Sequence, residues 1–202
     1  MPRPSTREKL LDCAEELFGA HGIEGVSLRT INTAAGLSPA ALHYHFGAKE
    51  SLVEALLERR MPALMERRRV LLDELSNVTT PITTRDVLGA LINPMVELLV
   101  EGGKPSLRYL RLLHRLQTDG DLDPQFVIER WPGGVDRLEP LLRKANPELP
   151  VATLRLRLQL VIEVMLRSLS QDTLGPEDRL SGHVSALLDF CTHGFEAPIA
   201  GG

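Results

Sequence analysis

Residues 27–49, SLRTINTAAGLSPAALHYHFGAK, constrain the fold more than any other stretch. They hold two short helical segments with a tight turn between them. Ser27 carries the hydroxyl of a helix N-cap, and Leu28, Ile31, Ala34 and Ala35 follow at helical spacing. Gly36 can turn the chain at a helix end, and Ser38-Pro39 reads as a second N-cap with proline at the first helical position. The next helix, from Pro39 to about His45, is too short to stand alone and must dock on its neighbours. The pair predicts a helix-turn-helix whose second helix enters the major groove of DNA. Leu42 and Phe46, four apart, share the docked face. Pro39, Ala40, Ala41, His43 and Tyr44 are then outward, with His45 at the boundary. Ala40 and Ala41 keep the backbone close to the bases, where a thymine methyl suits them, and His43, Tyr44 and His45 offer hydrogen bonds to base edges or phosphates. Lys49 opens the following helix, where its ammonium and the free amides suit a phosphate.

With these residues in place, residues 7–56, including ALHYHFGAKESL, resemble the DNA-binding domain of the TetR family of transcriptional regulators. The parts that agree are the amphipathic first helix, Gly22 at its end, Ser27-Leu28-Arg29, Ala35-Gly36-Leu37-Ser38 and the aromatic-Phe-Lys run. The resemblance implies a dimeric, all-helical repressor whose second domain binds a small molecule. It assigns DNA contact to Ser27, Arg29, Ser38, Ala41, His43, Tyr44, His45 and Lys49. Family members often carry Lys, Gly or Thr near positions 40 and 41, where this chain has two alanines, so the operator sequence does not carry over.

The chain has 202 residues and a net charge of −4. DNA affinity leans on neutralised phosphates, and the first fifty residues hold five Lys/Arg against six Asp/Glu. Placement outweighs that sum: Arg3 and Arg7 precede the first helix, Arg29 lies on the second and Lys49 heads the fourth, while Asp12, Glu15 and Glu16 fall on the far side of the first. No apolar run is long enough to span a membrane, and the amino terminus lacks the apolar core of a signal peptide. Cys13 and Cys191 lie far apart without metal-ligand spacing, which fits a reduced, cytoplasmic protein. The sequence calls for no catalytic group, metal or cofactor. Gly102-Gly103-Lys104 lacks the earlier glycine of a phosphate loop and is followed by Pro105.

The first helix spans residues 6–21, with Leu10, Cys13, Ala14, Leu17 and Phe18 as its apolar stripe. A fourth, residues 49–76, links the reading head to the rest and is bent or broken by Pro62, a plausible coupling point. Arg67, Arg68 and Arg69 beyond it read as a solvated or ion-paired face. Helices follow over residues 84–100, kinked at Pro94, then 105–119, a segment up to Trp131, 135–145, 151–169 and 176–195. The expectation is an all-α protein of about nine or ten helices. Its head, residues 5–50, is a three-helix helix-turn-helix domain, and residues 51–197 form a larger effector-binding and dimerisation domain.

Apolar surplus in the larger domain, together with the resemblance, places an effector pocket among its helices. Met95, Leu112, Trp131 and Met165 are expected walls, and Arg108, Tyr109, Arg111, His114, Gln117, Arg155 and Gln159 expected polar groups. The region from LRYLRLLHRLQ onward is similar to regulators that answer to lipid-like effectors, so an apolar ligand portion should dominate. The last two helices are apolar on two sides and need two partners. In the helix over 151–169, Leu154, Leu158, Val161, Ile162, Met165 and Leu169 share one face, and Leu156, Leu160 and Val164 another. Leu158, Ile162, Met165, Val184, Leu187, Leu188 and Cys191 are the expected interface of a homodimer with a four-helix, two-fold seam. Two-fold symmetry would set the reading heads roughly 34–36 Å apart on a palindromic duplex. The function expected is a DNA-binding regulator, most simply a repressor released by a small apolar effector. The alternative is a DNA-binding dimer with a filled core and no effector.

Overall fold

The computed structural model describes residues 5–119, 129–130, 136–171 and 177–198. Every regular element among them is a helix: α1 Thr6–His21, α2 Leu28–Ala34, α3 Pro39–His45, α4 Lys49–Glu58, α5 Met61–Asn77, α6 Thr84–Asp119, α7 Leu138–Ala145, α8 Val151–Leu169 and α9 Glu177–Glu196. The termini follow the local chemistry. Ser5 Oγ accepts from the Glu8 amide at 3.2 Å to start α1, and Ser27 Oγ accepts from Thr30 N at 3.0 Å to start α2. Between α2 and α3 the chain reverses at Gly36, whose φ of 65° lies in the left-handed region that a side chain would strain.

The expected helix over 49–76 is two helices. The break falls at Arg59 and Arg60, and Pro62 sits in the first turn of α5, where its missing N–H costs no helical hydrogen bond. The expected helices over 84–100 and 105–119 are two limbs of one element, joined at Gly103 (φ 54°, ψ −132°), a conformation that needs glycine. The second limb of α6 is the spine of the molecule: α1 packs on it from the head, and α5, α8 and α9 pack on α6 from the body. Gly19 permits the α1 approach. A Cβ there would lie 3.2 Å from Arg111 Cβ and 3.3 Å from the Arg108 carbonyl.

The core runs unbroken from head to body, from Leu10, Leu11, Phe18, Ile31 and Leu42 through Leu52, Leu56 and Leu72 to Leu110, Leu116, Leu154 and Leu169. Among the described residues, no helix is long and apolar enough to cross a membrane, and no cluster of three His, Cys, Asp or Glu is placed to hold a metal.

Candidate DNA-reading face and effector cavity

α3 is docked by one residue and positioned by another. Leu42 is fully buried, while Phe46 is half-buried beneath the Arg7 guanidinium, 5.3 Å from its ring. Asn32 of α2 is only 2% exposed; its Nδ2 donates to the Pro39 carbonyl at 3.1 Å and its Oδ1 accepts from Leu42 N at 3.2 Å. One amide thus satisfies a donor and an acceptor of the recognition helix and sets its angle to α2. The sequence reading missed it, because a polar residue in α2 reads as solvent-facing.

On the opposite face, Ser38, Pro39, Ala40, His43 and Tyr44 are exposed, and Ala41 and His45 are half-buried. Tyr44 is 86% exposed, and its ring stands edge-on to His45, 5.1 Å between centroids. The ring nitrogen Nδ1 of His43 lies 2.9 Å from the Gly47 carbonyl, to which it can only donate. Neutral His43 is therefore the Nδ1-protonated tautomer, with Nε2 left as an outward acceptor. Ser38 makes no side-chain cap bond, so its hydroxyl is available to a phosphate; Ser27 and Arg29 are exposed, and Lys49 is half-buried at the α4 start.

The acids of α1 point elsewhere. Glu8, Asp12 and Glu15, at helical spacing on one side of α1, converge on Arg59 at 3.1, 2.8 and 3.4 Å. Glu16 pairs with Arg108 of α6 at 3.0 Å. Glu15 is buried, and that burial raises its pKa against the opposing pull of Arg59 and Arg60. Arg60 in turn reaches Ser106 Oγ at 3.4 Å and lies 5.8 Å from the Tyr109 ring centroid.

Behind this junction, α5, both limbs of α6 and α8 form a partly open cavity of about 320 Å³, lined by Met61, Met65, Arg68, Leu91, Met95, Leu113, Gln117, Arg155, Leu158, Gln159, Ile162, Met165 and Leu166. That is the lower end of the roughly 300–1,000 Å³ typical of small-molecule sites. Of the residues expected at an effector site, Met95, Gln117, Gln159 and Met165 line it, as does Arg155. Arg108, Tyr109 and Leu112 do not. Leu113 and Gln117, four apart, face the cavity, whereas Arg108 and Leu112 are turned towards α1 by helical periodicity. Tyr109 is fully buried with its hydroxyl donating to the Leu57 carbonyl at 3.3 Å. His114 lines a separate, more polar hollow of about 650 Å³ among Thr118, Glu163, Arg167, Ser168 and Gln171, where burial lowers its pKa. Trp131 lies outside the described residues.

Arg68 departs most from expectation. Arg67 forks onto Glu97 at 2.8 and 2.9 Å and Arg69 bonds Glu66 and Asp73, the ion-paired surface foreseen. Arg68 instead turns inward and is 1% exposed. Met61, Met65, Arg68 and Leu72 share the buried stripe of α5, so the helical register carried the signal.

The residues expected at a dimer interface divide by burial within the single protomer. Leu158, Met165, Leu187 and Cys191 are buried in the protomer's own core, Ile162 faces the cavity, and Val184 and Leu188 are half-buried. Among the described residues, the large apolar side chains left exposed on α8 and α9 are Leu156, Leu160 and Phe190.

Two family models cover this arrangement. One, bacterial regulatory proteins of the tetR family, matches residues 10–56; the other, a tetracyclin repressor-like C-terminal domain, matches residues 89–194, more than half the chain. The chain belongs to the TetR family. Among curated relatives, the HTH-type transcriptional repressor KstR2 of Rhodococcus jostii (strain RHA1) is 32% identical over 91 residues, 45% of this chain and 42% of that one. The chain spans less than half the length of the curated relatives it matches. Two solved structures show the same fold over nearly the whole chain. KstR2 of Mycobacterium tuberculosis has a TM-score of 0.62 at 20% identity, covering 94% of this chain and 96% of that one. The fatty acid degradation regulator FadR of Bacillus halodurans has a TM-score of 0.61 at 17% identity, covering 97% and 99%.

Proposed function

We propose that this chain is a cytoplasmic, homodimeric, sequence-specific DNA-binding repressor, released from a palindromic operator by a small, largely apolar effector. The observation that carries the DNA-binding part is the docked α3, with Ala40, His43 and Tyr44 turned to solvent and the acids of α1 turned to the body. Residues 5–50 serve as the reading head and residues 51–197 as the effector-binding and dimerisation domain. Repression rather than activation is supported by the repressor role of the relative at 32% identity.

The cavity favours an effector over a merely dimerising core, because a filled core would leave no such space. A physical route joins the two sites. Met61 lines the cavity at the start of α5, Arg60 before it bears on Tyr109 and Ser106, and Arg59 grips three acids of α1. A ligand that displaces Met61 shifts that junction and the reading head together, favouring a conformation whose two heads no longer match the operator.

The test is a gel shift of the purified protein on DNA flanking its own gene, backed by selection from random duplexes, at two salt concentrations with competitor. Saturable, competitor-resistant binding by two protomers or a multiple is expected. If no duplex resists competitor in either format, the DNA-reading proposal is wrong.

A further inference from the structure

Arg68 lies in the wall of the cavity. Among the described residues no carboxylate pairs with it, although Arg67 and Arg69 on either side have theirs. One Nη donates to the Leu91 carbonyl at 3.1 Å, and the other reaches only the soft Met65 sulfur at 3.6 Å. Nε is buried and has no hydrogen-bond partner among the described residues. Burial pushes the guanidinium pKa down to about 10, which leaves it charged at neutral pH. No Asp or Glu lines the cavity, while both of its charged lining residues are arginines. The second, Arg155, is exposed and already forked onto Glu139 at 2.8 and 3.2 Å. Every methionine after Met1 (Met61, Met65, Met95 and Met165) lines the remaining wall, a polarizable and adaptable apolar surface.

A buried charge is retained at a cost unless something pairs with it, and a guanidinium presents a planar fork that matches a carboxylate. We propose that the cavity takes a small amphiphile with one carboxylate on an apolar body, the acid seated on Arg68 and the body among the methionines. The proposal rests on reading this cavity as the effector site. It adds the charge and its sign. A neutral hydrocarbon would leave Arg68 as unsatisfied as the empty cavity does, a cation would be repelled, and a single interior guanidinium suits a monoanion.

The experiment is calorimetric titration of the full-length protein with octanoate, decanoate and dodecanoate, and with the alcohols of equal length. Wild type, Arg68→Met and Arg68→Lys are compared, with melting curves for each. At least one acid should bind wild type roughly 10- to 100-fold tighter than its alcohol, the range expected of hydrogen bonds to a charged group. Arg68→Met should lose that preference, keep alcohol binding and melt no lower than wild type when empty. Arg68→Lys, which keeps the charge without the fork, should keep part of the preference and guards against misfolding of the methionine variant. Equal affinity for acid and alcohol, or an acid affinity unchanged in Arg68→Met, overturns the carboxylate assignment and leaves the cavity as an apolar effector site. Failure of every acid and every alcohol to bind wild type overturns both, while the gel shift still decides DNA binding independently.

Discussion

Asn32 is polar, uncharged and buried, and both ends of its amide are spent on the backbone of α3. Asn32→Ala leaves Leu42 N and the Pro39 carbonyl without those partners, at a cost of about 1–3 kcal/mol. A melting scan should show a drop of roughly 2–4 °C per kcal/mol for a chain of this size. Specific DNA binding should fall further than stability alone explains, because the angle of α3 is lost while its surface is kept. Tyr44 and Lys49 separate two kinds of contact. Tyr44→Ala removes a solvent-facing ring and should leave the melting temperature within a degree or so, yet relax sequence preference by about 1–3 kcal/mol at one position. Lys49→Ala should weaken binding to all duplexes alike and lower the salt slope by about one per protomer. A salt slope unchanged in Lys49→Ala would remove that residue from the phosphate contacts. Much of this face was legible from spacing alone, since Leu42 and Phe46 four apart leave only one way for α3 to dock. Asn32 was not, because nothing in a linear sequence distinguishes an amide turned to solvent from one turned to the next helix.

The junction between α4 and α5 shows what element-level reading delivers. Pro62 announced a discontinuity, and the chain breaks just before it. At the break stands Arg59, whose partners are 44 to 51 residues away. The spacing of Glu8, Asp12 and Glu15 on α1 asked for a cation, but not for which one. Glu15 makes the clamp sensitive to pH. Its folded-state pKa is raised, first by burial and against the pull of Arg59 and Arg60, so the native state holds this proton more tightly than the unfolded chain does. Stability from this group therefore falls as pH rises past the ordinary glutamate value towards the raised one. Arg59→Gln removes the largest opposing charge, raises the Glu15 pKa further and widens that window. The variant should melt close to wild type below the ordinary glutamate range and progressively lower as pH rises through that range towards the raised value, by a few kcal/mol at most, as expected for breaking a partly buried pair. A deficit that is the same at every pH would mean that Arg59 acts by packing alone.

At the scale of the whole molecule, the two apolar sides of α8 were visible in the sequence, and on the side expected to meet a partner the protomer itself already covers Leu158 and Met165. Leu158 and Met165 close the core and cavity, and it is Leu156 and Leu160 that remain outside. A single chain gives no local cue for choosing between two leucine stripes, since both satisfy helical periodicity and only the packed protomer shows which is already covered. On α9 the exposed line is Gly182, Ala186, Phe190 and Gly194, and a Cβ at either glycine would meet nothing within 4 Å. Small residues on both sides of an exposed phenylalanine allow another helix to approach closely and seat that ring. We therefore propose that the two-fold seam of a homodimer lies on this line together with Leu156 and Leu160. Phe190→Glu should leave the protomer folded, because the side chain is 67% exposed, and should halve the mass measured in solution. Leu187→Glu should instead unfold the protein, since that side chain is 6% exposed and the charge would enter the core. Monomeric Phe190→Glu should also lose roughly 10²- to 10⁴-fold in operator affinity, the gain that tethering two heads supplies, while each head keeps its weak half-site binding. A Phe190→Glu protein that remains dimeric at micromolar concentration would move the seam off α9.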